Sequence, residues 1–432
     1  MRTSIFKDIQ DQNLLKHQLL NWAQQFREIV FLDSNNYPQL YSSYDCVLAV
    51  DAFTSIKTDF HNAFEDLKQY QSQSRDWLFG YLSYDLKNNI EDLQSNNFDG
   101  LHFPDLFFFQ PKKLFLLKGN QLEICYLNMC DDEVDEDFSE ISDQPSVFSP
   151  DSYRESSEIK ITEKISKQNY IQKVTDMLSH IHRGDIYEAN FCMEFFAENA
   201  FINPLEFYQK LNAISEAPFS VFFKNKSNYL LSASPERYLR KQGTKIISQP
   251  IKGTSKRFSD SKLDEKSKIQ LSQDPKERSE NIMIVDLVRN DLSHTAEKGS
   301  VQVEELYKVY SFKQVHQMIS TITSEVLHTT SPIDILKTTF PMGSMTGAPK
   351  ISAMQIIENL EETKRGLYSG AMGYFTPTGD FDFNVVIRSI LYNSEEKYVS
   401  FSVGSAITSA SIPENEYEEC LLKASAMLKV LD

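Results

Sequence analysis

Short, aromatic-rich runs bounded by Asn, Asp, Gly and Pro recur along the chain and limit what it can fold into. The runs at Arg27–Ser34, Asp45–Phe53 and Trp77–Lys87 have the composition of β-strands. Later in the chain, similar runs are joined as hairpins and separated by blocks of helical periodicity. This pattern predicts an α+β fold: a large, intertwined core of antiparallel sheets with helices on the outer faces.

Apolar residues at helical spacing predict a helix over 166–185; they are Tyr170, Val174, Met177, Leu178 and Ile181. Other apolar patterns predict helices at 203–215, 274–293, 312–323, 332–340, 349–360 and 413–431. Strands are predicted at 187–196, 368–376, 382–391 and 398–404, with a hairpin over 219–239 and a strand over 244–254 that ends in a turn.

Composition suggests three regions. Residues 1–130 form a strand-rich N-terminal region, and 131–160 are acidic and Ser-rich with little apolar content. Such a composition favours a solvated linker. Residues 161–432 hold the predicted helices and the motifs that carry chemistry.

Charge and motifs exclude several classes of protein. The chain has 44 Lys and Arg against 61 Asp and Glu, a net charge of −17, which argues against nucleic-acid binding. Its apolar runs are too short to span a bilayer, and MRTSIFKDIQ contains no apolar signal segment, so a cytoplasmic protein is expected. Five cysteines without a CxxC pair favour reduced thiols. Without GxGxxG, GxxxxGK[ST], HExxH or GxSxG, nicotinamide, ATP-loop, zincin and serine-hydrolase chemistry have no support.

Two predicted helices each carry a pair of glutamates three residues apart. Glu277 and Glu280 share a helical face, and Glu416 and Glu419 repeat the arrangement. Like charges at this spacing repel, so something must neutralise them. The helix dipole and nearby cations such as Lys276 are one explanation. A Mg²⁺ ion is the other, because Mg²⁺ takes one or two carboxylates together with waters and substrate oxygens.

Lys252 lies between Pro250 and Gly253 at the predicted turn. Proline fixes the direction of the backbone there, and glycine lets it come close to a ligand. A lysine at such a turn becomes a nucleophile if desolvation lowers its pKa. Glu236, directly after a proline in SASPER, could then act as a general acid. The alternative is a surface lysine and an ordinary exposed acid.

Two segments rich in small residues precede helices, GSMTGAPK at 343–350 and VGSAITSASIPENE at 403–416. Small residues at this position expose backbone N–H groups that suit a carboxylate or a phosphate. Arg388, flanked by apolar residues in a predicted strand, requires an anionic partner. Together these features indicate a small substrate with more than one carboxylate.

Six motifs occur in the order found in the chorismate-utilising enzymes, a family that the chain resembles from about residue 166 to 432. They are SASPER, QPIKGT, ERSENIMIVDLVRND, GSMTGAPK, LYSGAMGYF and VGSAITSASIPENEYEECLLKA. The N-terminal part resembles the family through FLDSN at 31–35, which is similar to a strand that can line a tryptophan pocket. The resemblance implies that residues 161–432 form a chorismate-binding catalytic region.

Two positions relate the chain to branches of this family. Lys252 in PIKGT resembles the aminodeoxychorismate synthases, whereas anthranilate synthases typically have Ala there. Isochorismate and salicylate synthases use a Lys to activate water where GDIYEANFC places Glu188, and an acid there disfavours water addition. The resemblance thus implies that chorismate and ammonia form 4-amino-4-deoxychorismate, a precursor of p-aminobenzoate and folate.

The resemblance also implies roles for the matched residues. Neutral Lys252 would attack the ring carbon beside the carboxylate-bearing carbon, Glu236 would protonate the departing hydroxyl, and ammonia would then displace Lys252. The metal set that it implies is Mg²⁺ on Glu280 and Glu419, with Glu277 and Glu416 as outer, water-linked partners. The implied substrate-binding residues are Arg388, Tyr368, Gly404, Ser344, Thr346, Thr254, Lys423 and Gln317.

One motif departs from the family. The family commonly has His in VxHLVS, where this chain has VHQMIS at 315–320, so the matched residue is Gln317 and His316 comes one position early. On the predicted helix, this shift would turn the side chain by about 100°, so the role of the histidine is not transferred. Gln317 can still donate a hydrogen bond to a substrate.

The source of ammonia and the exact activity stay open at this point. The sequence lacks the GxCxG elbow of an amidotransferase, so the resemblance implies a separate glutamine amidotransferase subunit. Two alternatives remain: anthranilate synthase component I, which would also eliminate pyruvate, and a catalytically idle subunit whose N-terminal half senses tryptophan.

Overall fold

One branched antiparallel sheet runs through the residues that the computed structural model describes, 1–145, 159–313 and 315–431. Its strands are β1 Arg2–Asp8, β2 Glu28–Asp33, β3 Cys46–Thr58, β4 Leu78–Leu82, β5 Leu106–Lys118, β6 Gln121–Leu127, β7 Thr162–Glu163, β8 Glu188–Ala197, β9 Phe219–Asn225, β10 Asn228–Ser234, β11 Arg237–Gln242, β12 Lys245–Gln249, β13 Ile251–Lys256, β14 Gln302–Ser311, β15 Val315–Glu325, β16 Gly347–Ala348, β17 Ala371–Phe375, β18 Phe381–Val385, β19 Ser389–Asn393 and β20 Tyr398–Thr408.

The helices pack on the faces of this sheet. They are α1 Gln12–Ala23, α2 Ala63–Ser74, α3 Lys87–Ile90, α4 Val134–Ser142, α5 Lys167–Arg183, α6 Pro204–Ser215, α7 Ser261–Gln273, α8 Pro275–Ser293, α9 Pro332–Thr339, α10 Lys350–Leu360 and α11 Pro413–Leu431. None of these helices has the length and the apolar stretch that crossing a membrane would need, as far as the described residues extend. The predicted α+β fold, with antiparallel strands and outer helices, is confirmed.

The sheet branches at β5. The first half of β5 pairs with β4 and the second half with β6, while β3 pairs along its other edge. The first branch continues from β3 through β2, β9, β10, β19, β20 and β8. The second branch continues from β4 through β17, β18, β11, β12 and β15, which also pairs with β13 and β14. Strands from both ends of the sequence therefore share one sheet.

Two clusters of buried side chains form the core. The outer cluster joins one face of the first branch to α1, α4, α5, α6, α10 and α11 and contains Trp22. The inner cluster joins the other face to the second branch and to α2, α8 and α9 and contains Trp77. Phenylalanine rings in tilted and edge-to-face contacts fill the inner cluster, as in Phe108 with Phe375 and Phe383.

Capping side chains explain why several helices begin where the sequence predicts. Asn169, Glu206 and Glu277 each have a backbone N–H bonded to a capping side chain, supplied by Ser166, Asn203 and Asp274 respectively. Such caps satisfy N–H groups that the first turn of a helix leaves without partners. At the other end of α5, Gly184 adopts φ +86°, a conformation typical of a residue that terminates a helix.

The prediction of a helix over 312–323 is wrong. This segment is β15, which pairs with β12, β13 and β14 and is buried on both faces from His316 to Ser324. A strand covered on both faces shows no alternation of apolar and polar residues, so its sequence can be mistaken for a helix. His316 and Gln317 consequently point to opposite faces of a strand, and the turn of about 100° expected between them does not apply.

Two shorter predictions also change. In the acidic segment predicted as a solvated linker, residues 134–142 form α4, and Val134 and Ile141 are buried in the outer cluster. The rest of that segment between 146 and 158 lies outside the described residues. The small-residue segment at 403–416 was predicted as a loop. Its residues 403–408 instead belong to β20, because strand pairing with β8 continues to Thr408.

The chain passes between the two branches at two adjacent places. The first crossing, at residues 235–236, leads from β10 to β11, and the second, at residues 386–388, leads from β18 to β19. Backbone hydrogen bonds join the crossings: Ala233 N–H donates to Arg388 O at 3.1 Å, and Val385 N–H donates to Glu236 O at 3.0 Å. The crossings thereby hold Glu236 and Arg388 at the junction of the branches.

Candidate active site

Lys252 lies in a bulge of β13 and not at the turn that the sequence predicted. The register between β13 and β15 shifts between Ile251 and Thr254, and the strand continues beyond the shift. Gly253 has φ +95°, which glycine adopts without strain, and a Cβ there would lie 3.1 Å from Oε2 of Glu277. The bulge therefore seats Lys252 directly against α8.

The Lys252 ammonium is buried among acids. Its Nζ donates a hydrogen bond to Oε1 of Glu188 at 2.6 Å, and the two side chains are 10% and 2% exposed. Burial alone would lower the pKa of Lys252, but the negative charges of Glu188, Glu280 and Glu419 outweigh burial and raise it. The expectation that desolvation lowers this pKa is therefore wrong for the free protein, in which Lys252 is a cation.

Glu236 has the opposite electrostatic environment. Its carboxyl is buried at the first crossing and accepts a hydrogen bond from the Ser344 hydroxyl at 2.6 Å. Burial raises the pKa of Glu236 to about 7, and the hydrogen bond from Ser344 and the charge of Lys252 only partly oppose that rise. A carboxyl with a pKa near neutrality can hold a proton and release it at physiological pH.

The two glutamate pairs meet across α8 and α11, with Lys276 between them. Nζ of Lys276 is 3.7 Å from Oε1 of Glu280 and 3.9 Å from Oε1 of Glu416. In the parts of the chain that the structure describes, no three His, Cys, Asp or Glu side chains close around one point. A Mg²⁺ ion here would thus take one or two carboxylates and complete its shell with water and substrate oxygens.

Burial and neighbouring charges shift the pKa values of these glutamates in different directions. Burial raises the pKa of Glu280 to about 7, and its buried Oε1 has no hydrogen-bond partner. Burial also raises the pKa of Glu277. Burial opposes ionisation of Glu419 too, but the Lys423 ammonium, 2.7 Å away, outweighs it and lowers the pKa of Glu419. Carboxylate oxygens are donors that Mg²⁺ prefers, and Oε1 of Glu280 is free to serve as one, so the residues present fit this ion.

Arg388 presents an unpaired cation to the same region. It adopts φ +52° and divides the strand predicted over 382–391 into β18 and β19. Its guanidinium forms no hydrogen bond or ion pair with any residue that the structure describes. Burial lowers its pKa, and the negative charge of Glu419 partly opposes that fall. A half-buried arginine without a protein anion can bind a substrate carboxylate.

Gly404 is required by close packing between β20 and β8. A Cβ at this position would lie 2.4 Å from Oδ1 of Asn190 and 2.6 Å from Sγ of Cys192. The carbonyl of Gly404 accepts a hydrogen bond from Nζ of Lys423 at 2.8 Å. Lys423 therefore ties α11 to β20 and fixes the position of Glu419.

The GSMTGAPK segment contacts two acids of the site, Glu236 and Glu188. Its Ser344 holds Glu236, whereas the Thr346 hydroxyl donates to the carbonyls of Met342 and Gly343 within its own turn, at 3.3 Å each. The following β16 pairs with β8, where a Cβ on Gly347 would lie only 2.1 Å from the carbonyl oxygen of Glu188. This segment therefore also positions Glu188.

Thr254 and Gln317 lie side by side on β13 and β15, and in the described residues neither side chain forms a hydrogen bond with the four glutamates. Gln317 is buried with no hydrogen-bond partner for its Oε1. His316, on the opposite face of β15, bonds to Ser311 at 2.8 Å and Asp264 at 3.1 Å. Its ring is thus committed to holding α7.

The sequence analysis missed one contributor to the site, Asn281. Asn281 donates from Nδ2 to the carbonyl of Lys252 at 3.4 Å and accepts a hydrogen bond from Ser320. Its position one residue after Glu280 was the only available signal. Lys350, although it belongs to the matched motif GSMTGAPK, pairs with Asp291 at 2.6 Å and does not face the four glutamates.

The strand resembling a tryptophan-pocket strand borders a separate cavity of about 70 Å³. Asp33 and Ser34 line it together with Arg237 and Tyr374. Arg237 follows Glu236 and pairs with Asp382 at 2.9 Å. The cavity is therefore adjacent to the first crossing but contains none of the four glutamates.

Three known proteins are similar to part of this chain. A chloroplastic aminodeoxychorismate synthase of Arabidopsis thaliana is 40% identical over 264 residues, which span 60% of this chain and 28% of that protein. Aminodeoxychorismate synthase component 1 of Escherichia coli is 37% identical over 62% of this chain and 58% of its own length. Anthranilate synthase component 1 of Bacillus subtilis is 36% identical over 66% of this chain and 55% of its own. The chain thus matches less than two thirds of each of these relatives.

A solved structure and a family model cover more of the chain. The crystal structure of anthranilate synthase component I from Streptococcus pneumoniae has a TM-score of 0.77 at 24% identity and covers 91% of this chain and 94% of its own. The likeness shows the fold. The family model described as chorismate binding enzyme matches residues 27–429, which include every residue of the site described above. The chain therefore belongs to the chorismate binding enzyme family.

Proposed function

We propose that the chain is component I of an aminodeoxychorismate synthase, which forms 4-amino-4-deoxychorismate from chorismate and ammonia through a covalent bond to Lys252. The observation that supports this most is the position of Lys252, buried beside Glu188 and close enough to Glu280 and Glu419 to feel their charges. An amine in that position can reach a substrate held by the same acids. Covalent catalysis divides one difficult displacement into two easier ones.

Glu236 is the proposed general acid. The amine of Lys252 bonds to the ring carbon beside the carboxylate-bearing carbon while the hydroxyl departs across the ring. Glu236, with a pKa of about 7, gives its proton to the departing oxygen, which leaves as water. Ser344 holds the carboxyl in place for this transfer. Ammonia then adds where the hydroxyl left, and Lys252 is released.

Mg²⁺ is the proposed cofactor. Glu280 and Glu419 would hold it, with Glu277 and Glu416 as outer partners through water, and its charge would neutralise the ring carboxylate and withdraw electrons from the ring. Lys276, which lies between Glu280 and Glu416 in the free protein, supplies positive charge near the same oxygens.

Arg388 is proposed to bind the second, enolpyruvyl carboxylate. Its guanidinium has no hydrogen bond or ion pair with a protein anion among the described residues, and Tyr368 lies near it. The backbone of Gly404, tied to α11 through Lys423, lies beside the same region. Thr346, Thr254 and Gln317 remain candidates for substrate contact through their backbone or side chains.

Ammonia is proposed to come from a separate glutamine amidotransferase subunit, and the complex is proposed to act in the cytoplasm. The name component 1 of the E. coli relative supports a second subunit. Free ammonium salt can replace that subunit in a test of the chain alone.

Mass analysis of the product distinguishes the candidate activities. Incubation of the protein with chorismate, MgCl₂ and an ammonium salt should give 4-amino-4-deoxychorismate. Fluorescent anthranilate would instead favour anthranilate synthase component I, the activity named for the B. subtilis relative. No product with any ammonia source would favour the idle, tryptophan-sensing alternative.

Replacement of the proposed nucleophile tests the covalent step. Lys252→Ala should lower kcat by about 10³-fold or more, because loss of a covalent nucleophile removes the main route. Lys256→Ala, an exposed lysine on the same strand, is the matched control and should keep full activity. Normal turnover by Lys252→Ala would refute the covalent mechanism.

A further inference from the structure

The proposed function leaves one buried acid of the site without a role, Glu188. Oε1 of Glu188 accepts the hydrogen bond from Lys252 at 2.6 Å, and Oε2 is buried without a hydrogen-bond partner. Among the described residues, no other side chain forms a hydrogen bond or an ion pair with the Lys252 ammonium. An acid that touches the reacting nitrogen and has a free oxygen can accept its proton.

The fold fixes Glu188 from both sides. As the first residue of β8, it pairs with Thr408 of β20 on one side and with Ala348 of β16 on the other. Gly347 packs against the Glu188 carbonyl so closely that a side chain there would overlap it. The backbone therefore has little freedom, and the carboxyl stays within reach of Lys252.

The other charged groups that face Lys252 already have proposed tasks. Glu280 and Glu277 approach from α8, Glu419 approaches from α11, and Glu236 approaches from the first crossing. The first three belong to the proposed cation site, and Glu236 serves the departing hydroxyl. None of these four forms a hydrogen bond with Nζ of Lys252 in the described residues.

We infer that Glu188 is a catalytic residue that takes the proton from Lys252 before attack and returns it afterwards. This inference rests on the proposed function. Lys252 starts as an ammonium and transfers one proton to the Glu188 carboxylate, which leaves a neutral amine and a carboxylic acid. The lone pair of that amine forms the C–N bond while the C–O bond breaks and Glu236 protonates the oxygen, releasing water.

The second half of the cycle restores both acids. Ammonia bonds to the carbon that lost the hydroxyl, and the C–N bond to Lys252 breaks, so that Lys252 leaves as a neutral amine with the bonding pair. The new ammonium of the product gives one proton to Glu236. Glu188 then returns its proton to Lys252, and the protein is back in its starting state without any external acid or base.

The variant Glu188→Gln distinguishes two roles of Glu188: a proton acceptor, and a neighbour that acts only through its charge. Glutamine keeps the hydrogen bond to Lys252 but cannot accept a proton. If Glu188 only held Lys252 as a cation, its loss would favour the neutral amine and would maintain or raise activity. If Glu188 is the acceptor, kcat at neutral pH should fall about 100-fold or more, as for other general bases.

Glu194→Gln is the matched control. Glu194 is also a buried acid of β8, six residues further along the strand and on the same face, and its Oε2 also lacks a hydrogen-bond partner. It lies outside the proposed machinery, so this variant should keep wild-type kcat. An equal loss in both variants would show a general effect on β8 and would overturn the assignment.

Two readouts go beyond activity. With chorismate and MgCl₂ but no ammonia, intact-mass analysis should show wild-type protein gaining chorismate less one water, and Glu188→Gln should gain it far more slowly. Below pH 7, where Glu236 keeps its proton, the rate of adduct formation in Glu188→Gln should rise with pH, because solvent must then remove the proton from Lys252. A wild-type adduct rate in Glu188→Gln at neutral pH would overturn the inference.

A further variant covers the case in which the glutamine variant misfolds. Glu188→Ala leaves space for a small carboxylate, and sodium formate should restore part of its adduct formation, whereas sodium chloride should not. Lack of rescue in a folded Glu188→Ala protein counts against proton transfer.

If Lys252→Ala proves fully active, the proposed function itself fails. If Lys252→Ala is inactive and Glu188→Gln is normal, only this inference fails.

Discussion

Lys252 and Glu236 are both buried, yet their surroundings shift their pKa values for different reasons. Lys252 contacts a carboxylate and faces others, so negative charge outweighs its burial. For Glu236, burial outweighs the hydrogen bond from Ser344 and the charge of Lys252. The site thus holds a charged amine and a carboxyl that keeps its proton up to about pH 7, the two protonation states from which the proposed cycle begins.

Replacement of the Glu236 carboxyl in Glu236→Gln should lower activity and raise stability. Glutamine cannot give a proton to the departing hydroxyl, so kcat/KM should fall about 100-fold or more. In the wild type, kcat/KM should be level below pH 7 and fall about tenfold per pH unit above it, as the free protein loses the proton of Glu236. The variant should lose this alkaline fall.

Glu236→Gln should be more stable than wild type at alkaline pH, although it is less active. The unfolded chain releases this proton near pH 4.5 and the folded protein holds it until about pH 7. The folded state therefore loses stability as pH rises through that window, by about 3 kcal/mol in total. Urea unfolding of wild type and Glu236→Gln at pH 5 and pH 8 measures this. A difference between the two proteins that does not change with pH would contradict the assigned pKa.

Single residues show how far a sequence can predict a site. The four glutamates were found because helical spacing is a local property, and their meeting across α8 and α11 follows from packing that spacing does not encode. The bulge at Gly253 was predicted as a turn, because Pro and Gly mark irregular backbone without specifying its kind. The contact between Glu188 and Lys252 joins residues 64 apart in sequence, and no local pattern predicts it.

At the scale of elements, signals within a segment predicted several helices correctly, whereas β15 was mistaken for a helix. Helices α5, α6, α8 and α11 carry caps or a repeating apolar face, signals that lie within each segment. The prediction for β15 was wrong because both faces of the strand are covered. Its Val, Ile and Thr content was the better indicator of a strand. The division of the strand around Arg388 depends on the crossing between branches, which only the folded sheet defines.

The pairing of β20 with β8 gives a prediction at this scale. Gly404→Ala places a methyl within 2.4 Å of Asn190 Oδ1 and 2.6 Å of Cys192 Sγ, so the strands must shift or their side chains must move. We expect the free energy of unfolding to fall by about 1–3 kcal/mol. Urea denaturation measures the change. Ser402→Ala, two residues earlier on the same strand, is the control and should lie within about 0.5 kcal/mol of wild type.

At the scale of the whole molecule, the branched sheet should make the protein unfold as one unit. The outer cluster contains Trp22 and the inner cluster contains Trp77, and these are the two tryptophans of the chain. Strands of both branches are hydrogen-bonded through β5, so neither cluster can lose its sheet without the other. Cooperative unfolding is therefore expected in spite of the length of the chain.

Single-tryptophan variants test this prediction. Trp22→Phe leaves only Trp77 as the fluorescent probe, and Trp77→Phe leaves only Trp22. For each variant, the urea midpoint from fluorescence should coincide with that variant's own midpoint from circular dichroism. Two separate midpoints within one variant would show that the clusters unfold independently.

The branched sheet also has a consequence for attempts to shorten the protein. A fragment that began after the acidic segment would retain the proposed catalytic residues but would lose β2 and β4, which pair with β9 and β17. Two long, apolar strand edges would then face water, and exposed edges of this kind promote aggregation between copies. Minimal versions made for screening or crystallisation should therefore keep the N-terminal strands, even though those strands carry none of the proposed chemistry.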